Sequence, residues 1–193
     1  MKHAHTLSAL LIASVFTLQG CIAGAFVAGT AAGGSMAYDK RTFTTIAEDQ
    51  NITFKAERKL ADNTAIATKA HIVAASFNHV VLLAGEAPTP ALKAEAESIV
   101  RSVPKVRKIY SQIIIADPIS TMTRSRDAVI TANVKTRMLT TTNLKSSQFK
   151  ILTENGTVYI MGISDKDDSD IAATVARNSS GVKRVVKVVE VES

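Results

Sequence analysis

Cys21 is the residue whose neighbours define its chemistry most clearly. It is the only cysteine of the chain and follows Leu18-Gln19-Gly20, at the end of an apolar run that begins near Ala9. With Lys2 near the start, residues 1–20 have the charged, apolar and small-residue order of a secretory signal peptide, which we expect to be cleaved. A cysteine directly after the cut is the pattern of a bacterial lipobox. We therefore predict covalent acyl chains, palmitate among them, on the Cys21 thiol.

The alternative is a plain secreted protein with a stray cysteine at the end of its signal. We prefer the lipoprotein interpretation because the chain has no second cysteine with which to form a disulfide. In addition, an exposed free thiol is a liability in an oxidising compartment. Each buried methylene adds about 0.8 kcal/mol of membrane affinity, so the acyl chains would hold the protein firmly at a bilayer.

Other residues that could do chemistry do not form a recognisable site. After the signal only two histidines remain, His71 and His79, and no cysteine is near to complete a zinc site, so we interpret them as hairpin positions. The acidic run Asp165–Asp170 fails the calcium-loop pattern, because Asp170 stands where a glycine is needed and Ala176 where a glutamate is needed. No nucleophile elbow, Walker loop or dinucleotide fingerprint occurs. We predict no metal, no cofactor other than the acyl chains, and no enzymatic activity.

The chain repeats itself, and this repeat determines the predicted architecture. Three pairs of segments recur 76 to 78 positions apart: Ile52-Thr53 and Ile130-Thr131, Val81–Gly85 and Val158–Gly162, and Val106–Ile109 and Val182–Val185. Hydrophobic residues make up 46% of the chain and charged residues 21%, so each of two small domains can bury a core. Only 5% of the residues are aromatic and tryptophan is absent, so Val, Ile, Leu and Ala must form most of those cores.

Each unit is predicted to fold as helix, hairpin, helix and strand. The first unit begins with a helix that has Ile52, Ala56 and Leu60 on its apolar face. Two strands follow, Ile72–Phe77 and Val80–Gly85, joined by the turn Asn78-His79. The unit ends with a helix that starts at Thr89-Pro90 and a strand Val106–Ala116. The second contains a helix, strands Phe149–Thr153 and Thr157–Met161 around Asn155-Gly156, a helix that ends before a left-handed Gly181, and a strand Val182–Val191. The fold class is therefore α+β, with the helices of each domain packed on a small three-stranded mixed sheet.

The same pattern predicts the boundaries of five segments. We expect a cleaved signal peptide at 1–20, a lipidated flexible tether at 21–48, a first domain at 49–116, a linker at 117–126 and a second domain at 127–193. The tether is rich in glycine and alanine and has little periodicity. The linker contains Pro118 among several serines and threonines.

The α-β-β-α-β unit with a glycine towards the end of the hairpin, here Gly85 and Gly162, resembles the BON domain (bacterial OsmY and nodulation). The most specific stretch is Leu139–Gly162, which reads LTTTNLKSSQFKILTENGTVYIMG. Two such domains behind a lipobox resemble the dual-BON outer-membrane lipoproteins over essentially the whole chain. This resemblance implies a non-catalytic, monomeric protein that binds anionic phospholipid such as phosphatidylglycerol, gathers at the division site and supports envelope integrity. By resemblance to sorted lipoproteins, Ile22 after the cysteine indicates the periplasmic face of the outer membrane.

In that family the first helix of the second domain carries the lipid contact, and the corresponding segment is Val129–Thr140. Helical spacing predicts that Ile130, Val134 and Met138 are buried and that the opposite side carries Val129, Ala132, Thr136 and Leu139. The predicted lipid-contact residues are Val129, Asn133, Lys135, Thr136, Arg137, Leu139 and Lys145. Val129 replaces the aromatic residue that the family has at the start of this helix, so insertion into the bilayer should be weaker here.

Two alternatives remain open at this stage. Val129 and Leu139 could pack against the first domain or the linker instead of lipid. The protein could also be a periplasmic adaptor that binds an envelope protein or peptidoglycan, and such binding should survive high salt, whereas contact with lipid headgroups should weaken. The formal charge of +6, which falls by one when Lys2 is removed, also suits nucleic acid, but export places the protein in the wrong compartment.

Overall fold

The structure is a computed structural model that describes residues 38–192. The predicted signal peptide, Cys21 and the expected tether up to residue 37 lie outside the described residues. From Tyr38 onward the chain forms one compact unit, which contains every hydrophobic cluster described below. None of the helices in this part of the chain combines the length and the apolar character needed to cross a bilayer.

The first module consists of three helices and three strands. In chain order they are α1 (Phe43–Asp62), α2 (Thr64–Lys69), β1 (His71–Phe77), β2 (Val80–Ala87), α3 (Pro90–Arg101) and β3 (Lys108–Ile115). Strands β1 and β2 form an antiparallel hairpin, and β3 pairs in parallel with β2. The turn residues Asn78 and His79 both have positive φ, as a two-residue hairpin of this type requires.

The second module repeats this plan with two helices. Its elements are α4 (Thr121–Thr140), a short 3₁₀ turn (Ser146–Gln148), β4 (Phe149–Glu154), β5 (Thr157–Ser164), α5 (Lys166–Arg177) and β6 (Arg184–Val191). Strands β4 and β5 are antiparallel, β5 and β6 are parallel, and the resulting strand order is β4-β5-β6. The prediction of two α+β units, each with a mixed three-stranded sheet, is confirmed.

Both leading helices begin earlier than the sequence pattern indicated. Helix α1 starts at Phe43, so residues 43–48 of the expected tether are helical, and α4 starts at Thr121, so most of the expected linker is helical. The reason is local capping: the hydroxyl groups of Thr42 and Ser120 accept hydrogen bonds from backbone N–H groups of the first turn, at 3.1 and 3.2 Å. Serine- and threonine-rich composition suggested a loop, but here it supplies helix caps.

The turn before the last strand also differs from the prediction. Helix α5 ends at Arg177 with Asn178 as its C-cap, so Gly181 does not terminate the helix directly. Gly181 has φ +84° and lies in the turn that leads into β6.

The two sheets pack face to face, which the sequence did not indicate. Alternate residues of β2 point in opposite directions: Val81 and Leu83 face the helices of the first module, whereas Val80, Leu82 and Ala84 face the second sheet. The second sheet meets them with Tyr159, Met161 and Val188. The described residues therefore form four layers in the order helices, sheet, sheet and helices, with α1 and α4 in opposite outer layers.

Polar contacts at the rim of this interface fix the two modules relative to each other. The half-buried ammonium group of Lys150 on β4 donates a hydrogen bond to the carbonyl oxygen of Ser76 on β1, at 3.1 Å. The Asn78 side-chain amide donates to Glu190 on β6, at 2.7 Å. His71 and Glu154 lie 3.1 Å apart across the same interface.

Candidate membrane interface

Helix α4 presents an uncovered apolar ridge to solvent. Met122, Val129 and Leu139 are 65%, 59% and 66% exposed, although all three are large and hydrophobic. The smaller residues Ala132 and Thr136 are exposed between them. The alternative that Val129 and Leu139 pack against the first module or the linker is therefore excluded. We call Met122, Val129, Ala132, Thr136 and Leu139 the α4 ridge.

Exposed cations lie on both flanks of this ridge. At about 100° per residue, Arg124 and Lys135 fall on one side and Arg126 and Arg137 on the other. None of the four forms an ion pair with another residue in the described range. The single acid of the helix, Asp127, is buried. An apolar strip between unpaired cations is complementary to an anionic lipid surface, whose phosphates lie above its hydrocarbon.

The buried side of α4 holds the ridge in a fixed orientation. Ile130, Val134 and Met138 pack on the second sheet, as predicted. Asp127 accepts hydrogen bonds from the backbone N–H groups of Asn155 and Gly156 in the hairpin turn, both at 2.8 Å. The helix is thus fastened to the sheet along its apolar face and at the hairpin turn.

Six of the seven predicted contact residues lie exposed on α4, and the seventh is placed differently. Asn133, Lys135, Thr136 and Arg137 are exposed together with Val129 and Leu139. The Lys145 ammonium instead lies 3.5 Å from a carboxylate oxygen of Asp168 and 3.7 Å from one of Asp165. Its charge is therefore partly compensated at the acidic start of α5.

Sequence reasoning missed the residues in the first two turns of α4. The sequence pattern places Met122, Arg124 and Arg126 in the linker, because only the segment from Val129 has a clear apolar face. The signal that could have identified them is Ser120, a good N-cap residue, followed by helix-compatible residues without glycine or proline. Including them lengthens the ridge by two turns and doubles the number of flanking cations from two to four.

The corresponding helix of the first module has a different outer face. Phe43 and Phe54 are 80% and 61% exposed there, so α1 is also apolar on its outer side. However, α1 carries four acidic residues against three basic ones. Its charge does not favour an anionic surface, so the outer faces of α1 and α4 differ in charge although both are apolar.

The two histidines form polar contacts in separate places, and the acidic run at the start of α5 lies apart from both. His79 lies 2.7 Å from Glu48 in the first module, and His71 pairs with Glu154 across the sheets. Within residues 38–192 no group of three or more His, Cys, Asp and Glu side chains is placed to hold a metal ion. Asp165 acts as the N-cap of α5, accepting a hydrogen bond from the Asp168 N–H at 2.8 Å.

The chain is similar in sequence to a known domain family and to several known proteins. Residues 48–117 and 126–193 each match the BON domain. The chain is 32% identical to Outer membrane lipoprotein DolP of Haemophilus influenzae over 93% of both chains. It is 31% identical to the 21 kDa hemolysin of Actinobacillus pleuropneumoniae over 78% of both chains. A third relative is an uncharacterized protein of Anaplasma centrale, 29% identical over 58% of this chain and 76% of that protein. The resemblance inferred from the sequence is thereby confirmed.

Proposed function

The chain belongs to the BON domain family, and on that premise we propose that it is an outer-membrane lipoprotein that docks on anionic phospholipid through α4. In this proposal acyl chains on Cys21 hold the protein at the periplasmic face of the membrane. The α4 ridge contacts the acyl region, and the flanking cations contact phosphates. The resulting contact supports envelope integrity. A role at the division site is part of the proposal and rests on the family resemblance alone.

The single observation that carries this proposal is the exposure of the α4 ridge between unpaired cations. Burial of a Leu, Val or Met side chain contributes roughly 1.5–3 kcal/mol. Each cation close to an anionic membrane contributes about 1 kcal/mol. Several such contacts, added to a lipid anchor that already holds the domain near the bilayer, are sufficient for stable docking.

The proposal is tested by sedimentation of residues 38–193, the compact unit, with phosphatidylglycerol vesicles. Leu139→Glu places a carboxylate at the C-terminal end of the ridge, in place of its most exposed apolar side chain, so we expect it to remove most of the vesicle-bound fraction. The matched control is Phe54→Glu, which makes an equivalent change on the outer face of α1 and should leave binding unchanged. Equal binding by wild type and Leu139→Glu rejects the surface.

Salt separates lipid docking from the adaptor function that the sequence left open. Because headgroup contacts are screened, the bound fraction should fall as ionic strength rises from 0.05 M to 0.5 M, and neutral phosphatidylcholine vesicles should bind poorly. Salt-resistant binding to peptidoglycan or to an envelope protein, with no binding to vesicles, supports the adaptor instead.

A further inference from the structure

An open groove lies beside the α4 ridge. It has a volume of about 570 Å³ and lies between the first half of α4, the Asn155-Gly156 hairpin turn and the Ser180-Gly181 turn. Met122, Val129 and Ile130 supply apolar side chains to it, and Arg126 and Lys183 supply cations. This volume falls within the range of small-molecule sites. Because Met122 and Val129 also belong to the ridge, the groove is continuous with the surface proposed to meet the bilayer.

The corresponding place in the first module is closed by an ionic bridge. Glu48 occupies the position of Arg126, and its carboxylate lies 2.5 Å from the Lys105 ammonium and 2.7 Å from the His79 ring. Lys105 in turn corresponds to Gly181. His79 corresponds to Gly156. The three side chains of the bridge thus occupy the positions at which the second module has Arg126 and two glycines.

The backbone is the same in both places, so the difference lies in the side chains. His79 and Gly156 have φ of +61° and +72°, and Lys105 and Gly181 have φ of +70° and +84°. In each module the residue that precedes the last strand donates its N–H to the turn: Arg107 to the His79 carbonyl and Lys183 to the Gly156 carbonyl, both at 2.8 Å. The lining of the groove by Arg126 and two glycines is therefore a difference in side chains between the two modules.

The charges around the groove favour an anionic ligand. The guanidinium group of Arg126 contacts the Met122 sulfur at 3.6 Å and has no acidic partner among the described residues. The Lys183 ammonium donates to the side-chain oxygen of Asn155, at 3.1 Å, which leaves its charge uncompensated. Asp127 also lines the groove, but it is buried and its two oxygens accept the turn N–H groups.

We propose that this groove holds a single anionic phospholipid, with the phosphodiester between Arg126 and Lys183 and the first part of one acyl chain along Met122, Val129 and Ile130. The inference rests on the proposed function and deepens it, because it adds a stoichiometric site to a surface contact. A lipid can enter the groove from the bilayer without crossing water, since the apolar lining continues into the ridge. In the first module the bridge of Glu48, His79 and Lys105 occupies the corresponding positions.

The test separates binding of one lipid molecule from docking on a bilayer. Short-chain phosphatidylglycerol, kept below its critical micelle concentration, is titrated into residues 38–193 and followed by amide chemical shifts. We expect saturable 1:1 binding with shifts at Asn155, Gly156 and Gly181. Glycerol phosphate, which has the anion but no acyl chain, should bind at least about ten-fold more weakly because the apolar contacts are lost.

Two variants test the groove against its closed counterpart. Arg126→Glu/Gly156→His/Gly181→Lys transplants the bridge of the first module into a backbone that already has the required conformation. A β-carbon at Gly156 or Gly181 meets only the flexible Lys183 chain at 2.9 Å or the Ile130 tip at 3.0 Å. Arg126→Glu alone tests the charge without altering a turn. Each should weaken short-chain lipid binding on the order of ten-fold, the effect of losing one charged hydrogen bond.

Arg177→Glu is the matched control, because it makes the same charge change in the same module, on α5, outside both the groove and the α4 ridge. It should leave binding of the short-chain lipid nearly unchanged. Equal loss in Arg177→Glu and Arg126→Glu, or equal affinity for glycerol phosphate and lipid, overturns the groove site. If wild type sediments with vesicles but does not bind the monomeric lipid, the groove inference fails and the α4 ridge stands. If neither binds, both fail.

Discussion

Asp49 and Asp127 occupy equivalent positions and perform the same task in each module. Each is buried on the leading helix and accepts the two backbone N–H groups of its hairpin turn: Asn78 and His79 for Asp49, at 2.7 and 2.8 Å, and Asn155 and Gly156 for Asp127. Burial by itself raises the pKa of Asp49, but hydrogen bonds from Ser76, the turn and Arg41 outweigh it, so the pKa lies below its ordinary value. These carboxylates tie the helix to the hairpin.

We predict that Asp127→Ala lowers the free energy of unfolding by about 3 kcal/mol, because two turn N–H groups lose a charged acceptor. The measurement is urea unfolding of residues 38–193 at pH 7. Asp117→Ala removes an exposed acid from the loop before α4 and serves as the control, with an expected change near zero. A loss for Asp127→Ala no greater than that for Asp117→Ala contradicts this role.

Glu86 is a buried acid whose pKa is shifted in the opposite direction from that of Asp49. It lies on β2, only 1% exposed. Burial raises its pKa, a weak hydrogen bond from the Ile119 N–H lowers it, and the neighbouring Glu154 raises it further. The folded state therefore favours the protonated form of Glu86 more than the unfolded chain does. The free energy of unfolding should fall as the pH rises from the unfolded pKa, near 4.3, through the folded pKa.

Glu86→Gln is accordingly expected to raise the melting temperature by roughly a few degrees at pH 7, because the amide keeps an acceptor for Ile119 without the charge. The gain should vanish below about pH 4, where the wild-type acid is already neutral. Calorimetry at both values checks this, with the exposed Asp62→Asn as control. A gain that is the same at both pH values indicates that charge is not the cause.

At the scale of elements, the sequence predicted the type and order of the repeated helices and strands but not all of their limits. The Asn-Gly turn, the apolar helical faces and the threonine-proline helix start are local signals, and the structure has each feature at the predicted position. The glycine near the hairpin end also has a local cause: a β-carbon on Gly85 would lie 2.0 Å from the His71 carbonyl oxygen. The early starts of α1 and α4 were missed because a serine or threonine cap also looks like a loop.

The candidate site was also predictable only in part, because some of its contacts join residues that are distant in the sequence. The ridge follows from helical spacing, which places Val129 and Leu139 opposite Ile130 and Met138. The position of Lys145 depends on Asp165 and Asp168, about twenty residues away in sequence, and no local pattern reports that contact. The groove depends on two turns and a helix that meet only in the folded chain, so periodicity alone could not identify it.

At the scale of the whole molecule, the packing of sheet on sheet determines which helix can meet a membrane. Because α1 and α4 lie in opposite outer layers, a flat bilayer that contacts the α4 ridge leaves the outer face of α1 in water. The inter-sheet layer of Leu82, Tyr159 and Met161 keeps the two modules in this arrangement. The orientation on the membrane is therefore a consequence of the fold as well as of charge.

The claim that α4 meets the membrane is tested most directly by tryptophan fluorescence. The chain has no tryptophan, so an introduced tryptophan is the single reporter of its own environment. Val129→Trp on the α4 ridge and Phe54→Trp on α1 are mixed with phosphatidylglycerol vesicles whose acyl chains carry bromine. We predict that the emission of Val129→Trp shifts to the blue and is quenched by the brominated chains, whereas the emission of Phe54→Trp is unchanged. Quenching of Phe54→Trp alone, or of neither residue, would contradict the claim that α4 is the helix that meets the membrane.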